Sequence, residues 1–146
     1  MIEGWPRRSL RALAGGLVAY FTAMVVASVT LSGLTRLALG AMGWEEPEIR
    51  AFFAAQFASY PQAVLAALPE VLAAGAAGYT AAAMATELEY WHALGVTLLA
   101  ALVFTAPVID RLPLGYTLMT LGSSLAVALF GASFPKARNR TQGAGS

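Results

Sequence analysis

Two stretches of about 24 residues carry no charged side chain, Ala12 to Thr35 and Leu112 to Pro135. At 1.5 Å per residue, each is long enough as a helix to cross a hydrocarbon core of roughly 30 Å. Between them, Pro61 to Thr86 and Trp91 to Ile109 are nearly as apolar. The pattern predicts an all-α membrane protein. Four transmembrane helices, over about 10–39, 61–86, 92–109 and 114–134, form one bundle in a single domain covering 1–140. The small polar tail, 141–146, is expected to be disordered.

Composition agrees. The chain is 58% hydrophobic and 12% charged, whereas soluble domains average about 25% charged. Its mean hydropathy is +0.66. Four crossings use most of the 146 residues and leave no room for a soluble domain. A net charge of +1, with most bases near the chain ends, argues against a nucleic-acid partner. The absence of cysteine excludes disulfides, thiolate metal sites and thiol redox chemistry. No metal site or cofactor is expected. The single histidine, His92, reads as an interfacial residue beside Trp91, and is the only possible imidazole donor to a haem or chlorophyll.

Arg7, Arg8 and Arg11 precede the first apolar run as the basic region of a signal peptide would. The run is longer than the roughly 7–15 residues of a signal core, so an uncleaved first helix is expected. Ser9 is a plausible N-cap, and Gly40 and Gly43 are natural stops. Beyond them, Glu45, Glu46, Pro47 and Glu48 read as a helix opening. Ile49, Phe52, Phe53, Phe57 and Tyr60 then recur at helical spacing. This predicts a short interfacial amphipathic helix over about 47–59, between spans 1 and 2, with Trp44 and Tyr60 at headgroup depth. A plain extension of span 2 is the alternative.

With four spans both termini share one side. That side carries Arg7, Arg8, Arg11, Lys136, Arg138 and Arg140, against Arg36, Arg50 and Arg111 on the other. The bias predicts cytoplasmic termini.

Helices in lipid pack through small residues. Ala74, Gly78 and Ala82 form such a stripe on span 2, with Gly75 beside it. Gly15, Ala19, Ala23 and Ala27 do the same on span 1, and Gly122 is a candidate on span 4. Ser28, Ser32 and Thr35 form a second, hydroxyl stripe on span 1. It reads as packing material or as the lining of a substrate path.

Glu70 is the one serious candidate for chemistry. A carboxylate at membrane depth is costly and usually faces a bundle interior or a wet cavity. Pro69 before it removes a helical hydrogen bond. Alternatively span 2 opens at Pro69, and Glu70 is then an ordinary first-turn acid. Arg36 is the second candidate. It can snorkel, or pair with Glu70 or Asp110. No phosphate loop, nucleophile elbow or zinc motif is present, so an enzyme is not expected.

Gly75-Ala76-Ala77-Gly78-Tyr79-Thr80-Ala81, then His92-Ala93-Leu94-Gly95, Pro113 opening the last span and Gly131 before a basic tail, form a further pattern. Over residues 75–140 this resembles a group of small bacterial four-span membrane proteins without an assigned activity. The resemblance implies a bacterial inner-membrane location and no site residues. The expected function is an accessory or assembly subunit of a larger membrane complex, bound to other membrane subunits or to itself as well as to the lipid bilayer. The alternative is a small transporter or channel using Glu70 as an intramembrane proton or ion site.

Overall fold

The computed structural model describes residues 5–55, 59–85, 88–104 and 112–143, and all its regular structure is helical. Five helices follow in order: α1 (Trp5–Ala41), α2 (Glu46–Ala54), α3 (Tyr60–Met84), α4 (Glu89–Phe104) and α5 (Leu114–Gly143). Three are long and apolar enough to cross a membrane: α1 over Ser9–Ala41, α3 over Tyr60–Met84 and α5 over Leu114–Pro135.

The fourth expected span is shorter than anticipated. As described, α4 has 16 residues, about 24 Å at helical rise. That falls short of a crossing of roughly 30 Å. Residues 105–109, the rest of the expected span, lie outside the described residues.

The outer boundaries of the first and last helices also differ from expectation. α1 begins at Trp5, so Ser9 lies inside the helix and is not its cap. α5 runs through Pro135 to Gly143, although the span was expected to end at that proline. A proline removes one N–H and crowds one preceding carbonyl; it kinks a helix without having to end it. The carbonyl concerned belongs to Gly131, which has no side chain of its own to crowd the site. Thr141 to Gly143 are therefore helical and not part of a disordered tail.

α1 ends where Gly43 enters the left-handed region at φ 88°. Its N–H bonds the Gly40 carbonyl at 3.0 Å and that of Trp44 bonds Leu39 at 3.1 Å. This closure reverses the chain into α2. The Glu45 N–H donates to Glu48 Oε2 at 2.8 Å, half of a capping box. α2 is the expected short helix between spans 1 and 2, although it ends at Ala54, before the anticipated residue 59. Its Ile49 is buried. α3 opens at Tyr60-Pro61 behind an extended Ser59, whose hydroxyl donates to Gln62 Oε1 at 2.8 Å.

α3 is the central helix and packs most extensively on α5 and α1. The core is largely alanine: Ala73, Ala77, Ala81 and Ala128 enclose Val96 and Tyr20. α1 and α3 run antiparallel, because Gly15 and Gly16 face Met84 and Ala81. α3 and α5 run parallel, because Gly75 faces Val127 and Gly78 faces Ala128. The start of α1 and the end of α5 therefore lie at the same end of the bundle, opposite α2.

The glycines decide how closely α3 and α5 approach. A Cβ on Gly78 would overlap the carbonyl of Ala128, and one on Gly131 would overlap the carbonyl of Gly75. A Cβ on Gly75 would come 2.9 Å from Val127 Cγ1. Ala74 and Ala82 are fully buried on the same stripe. Gly122 is not at a helix contact: it is exposed, with open space around it. The close approach on α5 is made at Gly131, two turns further on.

Candidate functional site

Glu70 lies well inside α3. The helix runs unbroken through Pro69, so Glu70 is ten positions beyond Tyr60 and not in a first turn. Ten positions are about 15 Å of helix. The residue is half-buried. Its carboxylate interacts electrostatically with the phenol groups of both Tyr20 on α1 and Tyr116 on α5. Tyr20 is 1% exposed, which is unusual for a hydroxylated aromatic in a spanning helix. Such residues belong at membrane interfaces, where the ring is apolar and the tip wet. On α5, Thr120 and Ser124 continue one i, i+4 face from Tyr116 and are buried. The Ser124 Oγ has no hydrogen-bond partner.

Next to this cluster, on the α2 side, lies a cleft of about 170 Å³ between α1, α2 and α3. Ser28, Ser32 and Thr35, the hydroxyl stripe of α1, line one wall, and Ala66 and Pro69 of α3 line the other. Hydroxyls in helices commonly bond the carbonyl one turn back. Thr97 does so to Ala93 at 2.9 Å and Thr117 to Pro113 at 3.3 Å. Ser28, Ser32 and Thr35 make no such bond and face the cleft. Pro69 adds a further oxygen, because the Leu65 carbonyl has lost its usual N–H donor.

Glu70 stands one turn deeper than Ala66 on the same face of α3. Helical side chains lean back over the turn preceding their own Cα. The Glu70 side chain thus leans toward the turn of Ala66, without itself lining the cleft.

Arg36 takes a different place from the one expected. It is not paired with Glu70. Its Nη1 lies 3.2 Å from Glu46 Oε1 of α2, both side chains being half-exposed. Its guanidinium also sits 5.5 Å above the Phe53 ring. Arg50 approaches the same Glu46 oxygen at 3.6 Å. Phe52 makes edge-to-face contacts with Trp44 and Phe53, and the Gln62 amide donates to the Phe52 carbonyl at 3.4 Å. These contacts tie α2 across the ends of α1 and α3 as the rim of the cleft. Asp110, the other expected partner of Arg36, lies outside the described residues.

His92 is buried in the first turn of α4, beside the exposed Trp91. Its Nδ1 is 3.0 Å from the Leu88 carbonyl. Since that oxygen can only accept, Nδ1 carries the proton. Among the described residues, no three acidic or imidazole groups come together as a metal site would require.

Sequence reasoning singled out Glu70 and the hydroxyl stripe but missed Tyr20 and Tyr116. The available signal was a tyrosine in the middle of a charge-free run. Comparison with protein-family models, curated proteins and solved structures returned no match.

Proposed function

We propose that this chain is a small multi-pass membrane protein that takes up a proton or a small cation at Glu70 and passes it across the bilayer. The observation that carries this reading is the setting of Glu70, midway along the central helix, within electrostatic range of the buried Tyr20 and the half-buried Tyr116 and one turn beyond Ala66 of the cleft wall. An ionisable group at that depth is expensive unless it is used. The cleft supplies neutral oxygens that can replace part of an ion's hydration shell, as filters and carriers do. The Glu70 carboxylate supplies the charge.

The basic residues near both termini favour a cytoplasmic position for that end. α2 and the cleft then face outward from a bacterial cytoplasmic membrane. The test is flux into proteoliposomes, followed with a pH dye and with sodium- and potassium-sensitive dyes. Glu70→Gln should abolish the flux that the unaltered protein supports, while Glu70→Asp retains part of it. Equal flux through the Glu70→Gln protein removes the reading.

A second reading, an accessory or assembly subunit of a larger membrane complex, is favoured by the half of α1 nearest α2. There Val26, Val29, Leu34 and Leu37 are exposed along a helix that α3 covers on one side only. On this reading, purification from native membranes in mild detergent brings down larger partners at fixed ratio. A lone monomer under those conditions counts against it.

A further inference from the structure

We infer that the cleft between α1, α2 and α3 is a water-filled, cation-selective vestibule through which a small hydrated cation reaches Glu70 from the α2 side. The inference rests on Glu70 being the ion site, and it names the route and the charge class admitted.

Three observations carry it. First, the polar lining is neutral oxygen. Ser28, Ser32 and Thr35 spend none of their hydrogen-bonding capacity on the protein, and Pro69 frees the Leu65 carbonyl beside them. Ser28 and Thr35 are half-buried and Ser32 is exposed, so their hydroxyls are open to water or an ion entering the cleft.

Second, the depths match. Ser28 to Thr35 spans seven positions, about 10 Å along α1. The stripe leads from the rim, where Phe53 and Gln62 sit, to the level of Pro69. Glu70 follows immediately.

Third, the charges around the mouth favour cations. Among the described residues on and beside α2, Glu45, Glu46 and Glu48 stand with Arg36 and Arg50, three negative charges against two positive, or a net of −1, and Glu46 contacts both arginines. Arg36 is also neutralised by Glu46 and held over Phe53, out of the cleft floor. The Glu70 carboxylate, one turn beyond Ala66 of the cleft wall, adds a field of the same sign in a low-dielectric setting. Anions thus meet repulsion at both ends of the route.

The chain has no cysteine, so single cysteines can be read without background. Ser28→Cys, Ser32→Cys and Thr35→Cys, with Ala66→Cys on the opposite wall, are placed in proteoliposomes and checked for an unchanged melting transition. Each is treated from the α2 side with a cationic trimethylammonium methanethiosulfonate and with an anionic sulfonate analogue. Rates are divided by those for a free thiol in solution.

The cationic reagent should modify all four positions. At Ser28→Cys it should lead the anionic reagent by roughly tenfold, the size of about 1.4 kcal/mol of field. Adding Glu70→Gln should collapse that preference to less than about twofold. Modification confined to Thr35→Cys overturns the proposal, because the cleft is then closed to water. Equal rates for both reagents with Glu70 present overturn the charge selection. The flux test separates this from the parent reading: selective labelling with no Glu70-dependent flux leaves a vestibule without transport, and flux without labelling leaves transport by another route.

Discussion

The backbone of Gly78 lies directly against the carbonyl of Ala128, and no side chain separates α3 from α5 at that level. Such contact is how apolar helices associate where lipid offers no hydrophobic drive. Gly131 against the Gly75 carbonyl repeats it one turn away. These two contacts hold the central helix to the parallel partner that carries Tyr116.

Gly78→Ala should therefore push the helices apart. The added carbon meets main chain and not a movable side-chain tip, so the expected loss is about 1–3 kcal/mol. Gly122→Ala, in open space on the same helix as Gly131, should instead be neutral or stabilising by up to about 1 kcal/mol. Thermal unfolding in detergent, followed by circular dichroism, compares the two.

Ser124→Ala removes a buried hydroxyl that has no hydrogen-bond partner. Deleting such a group should be neutral or stabilise by about 0.5–1 kcal/mol. A loss of more than about 1 kcal/mol in the same unfolding assay would mean that the hydroxyl is satisfied by something bound in the bundle.

The Arg36–Glu46 pair is half-exposed and screened by solvent. A double-mutant cycle with Arg36→Gln and Glu46→Gln should give a coupling below about 1 kcal/mol, smaller still in high salt. Arg36→Gln also removes the contact with Phe53, and Glu46→Gln the approach of Arg50 and a first-turn acid, so the two single variants should cost similar amounts. Chemical unfolding of the single and double variants measures both statements.

Leu88 holds a left-handed backbone at φ 55° ahead of α4. That conformation costs a branched residue roughly 1–2 kcal/mol. Leu88→Gly should relieve part of it and raise the unfolding temperature, since the side chain is exposed and the bonds from His92 go to its carbonyl.

The three long helices were legible because an apolar run of spanning length with at most one charge, Glu70 in α3, has few other fates in water or lipid. The short helix after span 1 was legible for a different reason: Glu45 to Glu48 spell a helix opening, and the bulky residues behind them recur at helical spacing. What failed depended on knowing which face meets which. Gly122 and Gly131 look alike in sequence, and only the parallel register of α3 and α5 selects Gly131. Arg36 finds Glu46 because the Gly43 turn folds α2 back on α1, a geometry that spacing alone does not give. Pro135 looked like a stop, and the helix continues past it because one missing bond and a side-chain-free Gly131 make a kink affordable. Glu70 was legible as an expensive group, but its surroundings were not, since Tyr20 and Tyr116 come from helices remote in sequence.

The account stands on Glu70 facing the protein interior while its neighbour Leu72, 53% exposed, faces lipid. Nitroxide spin labels at positions 70 and 72, two residues apart and so at nearly the same depth, test this directly through collision with dissolved oxygen in bilayers. Residue 72 should show the high oxygen accessibility of a lipid-facing site, and residue 70 a several-fold lower value. Equal, high oxygen accessibility at both positions would place Glu70 against lipid and contradict the account.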